Sequence, residues 1–109
     1  MPLVVIDASD LPGRPLDAAA RFHSEVVPRT REALAQENDV VVVFAPADHT
    51  HRGWRLSAIQ ELAREAAPLR VNGVSGGGGD LAEMHAFLAC APGITGQLLC
   101  AGGKAAENR

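Results

Sequence analysis

The sequence predicts an α/β fold: a mostly parallel sheet of about four strands alternating with three helices. Three observations carry this. Leu3-Val4-Val5-Ile6 and Val40-Val41-Val42-Val43-Phe44 are short apolar runs with no polar alternation, as in strands buried on both faces, and Leu69–Val74 is a third short, β-rich run. The segments between them repeat apolar residues at three- and four-residue spacings, the period of a helix with one buried side. Each element ends at turn-forming or helix-breaking residues, so the chain reads β-α-β-α-β-α-β without an internal repeat. The crossovers of such a sheet are normally right-handed.

The elements follow in order. The first strand ends at Asp7-Ala8-Ser9, and Asp10-Leu11-Pro12-Gly13-Arg14-Pro15 is turn chemistry. A helix follows with Leu16, Ala19, Ala20, Phe22, His23, Val26 and Val27 on its apolar side. Pro28 either kinks it or starts a second helix running to Gln36. Asn38-Asp39 breaks the helix before the Val40–Phe44 strand. The loop Ala45–Gly53 leads to a helix from Trp54 with Leu56, Ile59, Leu62, Ala63 and Ala66 inward, and Arg55, Gln60, Glu61, Arg64 and Glu65 outward. Pro68 stops that helix. After the third strand, Gly76–Gly79 is a flexible connector, and Asp80 with Glu83 resembles a capping box. That helix carries Leu81, Met84, Phe87 and Leu88, ends before Pro92, and Gly93–Gly96 turns into a last strand, Gln97–Ala101.

A chain of 109 residues holds one domain, expected over 1–103, with a small polar tail at 104–109. With 47% hydrophobic and 21% charged residues it has the composition of a globular protein. A net charge of −3, with its 10 Lys and Arg spread along the chain, disfavours nucleic-acid binding. No apolar run approaches the roughly 20 residues of a membrane span, and Met1-Pro2 leads straight into a strand, so a cytoplasmic location is expected. Cys90 and Cys100 are expected to be reduced and inert.

Leu62-Ala63-Arg64-Glu65 at a helix end, the strand Leu69-Arg70-Val71-Asn72-Gly73-Val74, and Gly93-Ile94-Thr95-Gly96-Gln97 with Gly102-Gly103 resemble the C-terminal half of the short-chain dehydrogenase/reductase family. There, a helix ending in LARE leads into RVNAVAPG, and a TGQ strand and a Gly-Gly pair close the chain. The resemblance is best over 54–77 and 87–103. It implies a partial Rossmann-like domain, from the family's fourth strand to its seventh. The family's Tyr-x-x-x-Lys pair would fall on Asp48 and Arg52 and its catalytic Ser near Ala45-Pro46, and this chain contains no tyrosine. The GxGxxG turn that seats a dinucleotide is also absent. NAD(P) is therefore not expected to bind, and Asn72, Gly73, Ser75 and Gly76 stand as a vestige of the cofactor turn. The family's dimer-building helices correspond to about 16–36 and 54–67, which marks Phe22, Val26, Trp54, Ile59 and Phe87 as candidate interface residues. The resemblance also implies an unpaired outer edge on the first strand and one poorly covered sheet face.

Asp48-His49-Thr50-His51-Arg52 is the most chemically loaded loop, at the carboxyl end of a central strand where α/β sheets place ligands. Asp48, His49 and His51 could serve as acid, base or ligands, and Asp7 ends the first strand in a similar place. Against this stands a polar loop that caps a helix. No third ligand stands at a metal-site spacing, so no metal is expected. Two readings remain open. One is a non-catalytic, reductase-like protein acting as a homodimer or as partner subunit of a related full-length reductase or pathway enzyme. The other is a small stand-alone enzyme, or a nucleotide- or acyl-binding domain, using the Asp48–His51 crevice.

Overall fold

The computed structural model describes residues 2–76 and 80–100, so the expected tail at 104–109 and most of the glycine connector lie outside the described residues. Strands β1 (Leu3–Ala8), β2 (Asp39–Phe44), β3 (Val71–Ser75) and β4 (Leu98–Cys100) form one sheet. All are parallel and stand side by side in chain order, with Val4 opposite Val40, Val40 opposite Val71, and Gly73 opposite Leu98. Three helical crossovers connect them: α1 and α2 (Pro15–Arg21 and Val27–Ala35, continuous through a π-helical turn at Phe22–Val26), α3 (Arg52–Ala66) and α4 (Asp80–Ala89). The α/β, Rossmann-like class predicted by the sequence is the fold observed.

The first crossover shows how the sequence sets local geometry. Its most deeply buried residues, Ala18, Phe22, Val26 and Thr30, are spaced by strict fours, wider than the 3.6 residues of an α-helical turn. The π turn absorbs the surplus: the Val27 N–H reaches back five residues to the Phe22 carbonyl. Pro28 fixes where this happens, because its ring crowds the carbonyl four residues back and it has no N–H to offer. The same shift corrects the expected phase before it. Ala18 is buried, whereas Leu16, read as apolar-side, is 86% exposed. The helix ends in a Schellman motif, with Glu37 at φ 64°, its N–H on Leu34 and the Asn38 N–H on Ala33.

Val40, Val42 and Phe44 of β2, with Ile6 and Val71, face one layer built by Phe22, Val26, Ile59 and Leu62. Val41 and Val74 face the other, against Leu88, Leu81 and Met84 of α4. Both faces of β2 are therefore apolar because both are covered. Each crossover steps one strand in the same direction, so moving from the first face to the second reverses its hand. The β3–α4–β4 connection thus has the opposite hand to the other two, so the crossovers, expected to follow the normal right-handed rule, do not all share one hand. Gly73 lies where the layers meet most closely: a Cβ there would stand 3.0 Å from the Ile59 side chain and 3.1 Å from those of Leu98 and Phe44.

The same packing corrects most of the expected interface. Phe22, Val26 and Ile59 are buried within the protomer because they cover the apolar sheet, and only Phe87 of that set is well exposed. Trp54 is half-buried and packs edge-on against Phe22 and Phe44. The outward surfaces of these helices carry ion pairs instead, Arg31 with Glu65 and Arg64 with Glu61.

Two polar fastenings hold the far side of the sheet. Arg70 donates from its backbone N–H, Nε and Nη2 to the Asp39 carboxylate, and from Nη1 to the carbonyls of Leu88 and Ala91. Asn72 donates to the Ile94 carbonyl at 2.9 Å and accepts from the Gln97 N–H at 3.0 Å. The first joins β2, β3 and the end of α4, and the second sets the approach to β4.

At the opposite side, β1 is the sheet's edge. In a parallel ladder, alternate residues point their backbone groups to opposite sides. The Asp39 N–H bonds to the Pro2 carbonyl, which directs Pro2, Val4, Ile6 and Ala8 toward β2 and leaves Leu3, Val5 and Asp7 facing outward. Arg29 Nη2 takes the Asp7 carbonyl at 2.9 Å. The outward groups of Leu3 and Val5 have no partner among the described residues. On the second face α4 covers only part of the sheet, and Val5, Val41, Val43 and Val74 with Leu81 and His85 line an apolar groove of about 310 Å³.

Candidate functional site

The loops after β1 and β2 enclose a crevice of about 300 Å³ at the carboxyl ends of those strands. One wall is the β1–α1 loop, from Ala8 to Gly13. The other is Ala45–Thr50, which runs into the 3₁₀ turn His49–His51 and then α3. Placement follows from the topology, since adjacent parallel strands present their carboxyl-terminal loops to one side of the sheet.

Asp7 and Asp48 both fold back onto their own loops. The Ser9 N–H and hydroxyl donate to Asp7 Oδ1, and the Thr50 N–H and hydroxyl donate to Asp48 Oδ1. These bonds favour the ionised form and hold each carboxyl below its usual range. Both carboxylates are thus charged at neutral pH and serve their turns, Asp48 as the cap of the following 3₁₀ turn.

His51 is buried, and both ring nitrogens are engaged. Nδ1 accepts the indole N–H of Trp54 at 3.1 Å, which places the ring proton on Nε2, 3.0 Å from the Gly13 carbonyl. The ring is a clamp tying the β1–α1 loop to α3, with no lone pair left for a metal or a proton in transit. His49, at the start of the same 3₁₀ turn, is exposed. Among the described residues, no group of three His, Cys, Asp or Glu side chains converges as metal ligands would.

The vestigial turn residues are spent on packing. Asn72 links β3 to the approach to β4, Gly73 makes room for three core side chains, and Ser75 Oγ accepts from Arg55 at 3.2 Å. Gly76, at φ 129°, follows the strand.

Arg55 is the residue that sequence reasoning placed on the wrong side. Expected outward, it is only 6% exposed and lines the crevice. Its Nη1 donates to the Ala45 carbonyl at 3.0 Å and to Ser75 Oγ, and its guanidinium carbon lies 4.6 Å from the centre of the Phe44 ring. Its buried Nε has no acceptor, and burial lowers its pKa. The signal was present: Arg55 stands four residues before Ile59 and seven before Leu62, in phase with the buried face of α3.

Comparison with known proteins adds one finding. A family model described as SDR-like, short chain dehydrogenase-like protein, matches residues 6–101. No curated protein and no solved structure matches the chain.

Proposed function

The chain belongs to the short chain dehydrogenase-like family, and we propose that it is a non-catalytic member that works through assembly, pairing its β1 edge and the adjoining bare sheet face with a second protein chain. The observation that carries this reading is Val5. It is 50% exposed within the apolar run of β1, beside an apolar groove, on an edge whose Leu3 and Val5 backbone groups are unpaired among the described residues. An open apolar edge of this kind is a template for a further strand, and leaving it bare invites aggregation.

The absence of catalysis is supported by chemistry. The chain has no tyrosine, and the family's Tyr and Lys positions hold Asp48, an anion bound into its own turn, and Arg52. No dinucleotide enters the reading, because Asn72, Gly73 and Ser75 are engaged inside the protomer. Among the described residues no helix is long and apolar enough to cross a membrane, and the assembly partner is read as a protein.

The test is the native mass of the purified full chain, and of whatever co-purifies with it from its host, compared with Val5→Lys. The side chain is exposed, so the variant should fold, with an unchanged circular dichroism spectrum. The expected result is a dimer, or a second protein at fixed stoichiometry, that Val5→Lys releases. A wild-type chain that stays monomeric at micromolar concentration and retains no partner would overturn the reading.

A further inference from the structure

Among the described residues, Arg55 is buried and the Arg70 side chain nearly so, and the two are treated differently. Arg70 has the Asp39 carboxylate against its guanidinium. Arg55 has no carboxylate: Nη1 meets one carbonyl and one hydroxyl, Nε is buried without an acceptor, and no ion pair reaches it among the described residues. The aromatic faces of Phe44 and Trp54 at 4.6 and 5.9 Å offset only part of the cost of burying that charge. The carboxylates of Asp7 and Asp48, on the two loops, bond to Ser9 and Thr50 and form no ion pair with Arg55. A guanidinium is a planar fork built to donate to two oxygens at once, and this one stands at the wall of an open crevice.

We propose that the crevice between the β1–α1 and β2–α3 loops is a binding site for a small organic monocarboxylate, whose carboxylate supplies the counter-charge that Arg55 lacks. The walls choose the rest of the ligand. Leu11, Pro12, Ala45 and Pro46 line the crevice together with Ser9 and Thr50, so a short body that is aliphatic with some polar character fits. Asp48, ionised on the same wall, selects against greater charge: a phosphate dianion meets twice the repulsion that a carboxylate does. At about 300 Å³ the site suits a ligand of a few carbons. This site is on the opposite sheet face from Val5 and does not depend on the assembly reading.

The probe is sodium butyrate, titrated at constant ionic strength into the isotopically labelled full chain and followed by backbone amide and arginine Nε–H resonances. The expected result is a saturable shift of the Arg55 Nε–H and of the amides over 45–48, with a dissociation constant of order 1 mM or tighter. Arg55→Met should abolish the shift while the chain stays folded, and Arg55→Lys, which keeps the charge and loses the fork, should weaken it about tenfold. Should Arg55→Met fail to fold, Ala47→Trp, at an exposed position of the crevice wall, tests the site by filling it and should also abolish the shift. A wild-type chain with no saturable shift, a shift that saturates elsewhere, equal binding by either blocked variant, or tighter binding of inorganic phosphate than of butyrate would each overturn the proposal.

Discussion

Breaking the Arg70–Asp39 pair should cost this protein a large part of its stability, and breaking both halves at once should cost much less than the sum. The side chains are 12% and 6% exposed, and three donors of Arg70 converge on one carboxylate. Asp39→Ala leaves a guanidinium without a counter-charge in that setting; Arg70→Met leaves a carboxylate in the same position and strips the Leu88 and Ala91 carbonyls of their donor. Removing one member of a buried pair costs about 3–5 kcal/mol. Arg70 keeps a little access to water, so the lower end, about 3 kcal/mol, is the working value. A domain of this size has about 5–15 kcal/mol in all, so each single variant should lose a fifth or more of it, with a fall in Tm of at least about 10 °C. In Asp39→Ala/Arg70→Met no charge is stranded, and the coupling energy should be about 2–3 kcal/mol. Urea unfolding followed by circular dichroism, with the slope compared across the four proteins, supplies the cycle. Single variants that lose less than about 1 kcal/mol, the range of an exposed ion pair, or a double variant that loses the full sum, would refute the reasoning.

Two other outcomes follow from the same kind of accounting. Thr30 is fully buried in α2 and its hydroxyl has no partner; Thr30→Val keeps the shape and β-branching while removing the orphaned group, so it should raise stability by about 1 kcal/mol in urea unfolding, and a loss would show that the hydroxyl is satisfied. Asp7, Asp48 and Glu65 are each held below the ordinary carboxylate range, the first two by turn hydrogen bonds from Ser9 and Thr50 and the third by Arg31. Between each folded and unfolded pKa the unfolded chain therefore binds more protons, so stability is fully present above about pH 4.5, rises with pH below that, and is lost as pH falls through the folded values. The double variant Asp7→Asn/Asp48→Asn should flatten this acid limb of a Tm-against-pH profile, and an unchanged limb would remove these turns from the explanation.

What the sequence made legible tracks how local the deciding physics is. Val40–Phe44 has no polar residue, so its burial on both faces could be read directly, and the parallel sheet followed from it. The helix around Phe22 was legible as a helix but not in phase. A 3.6-residue period was laid over residues whose actual spacing is four, and Pro28, visible in the sequence, gave no sign that the remedy would be a π turn. Which face α4 would take was not legible at all, because that choice depends on where the other crossovers already lie. Asp39 was read as part of a helix stop and Arg70 as a residue within the third strand; only the pairing of β2 with β3 brings them together.

The candidate site failed to read for a different reason, and the failure is informative. His49 and His51 attracted attention because of their residue type, and Arg55 was assigned to solvent because of its own. In the fold the order is reversed. His51 has both nitrogens committed to Gly13 and Trp54, whereas Arg55, in phase with Ile59 and Leu62, is carried inward by the buried face of its helix. A charge placed on an apolar face conflicts with the pattern around it, and such conflicts between local pattern and residue type are expected at functional or strained sites. The histidine shows no such conflict, since a clamp satisfied at both ends leaves nothing for a ligand to complete. Arg55 lacks that completion: two neutral acceptors and an aromatic face do not match a full charge, and the loops that could have brought Asp7 or Asp48 to it instead turn both carboxylates back on themselves.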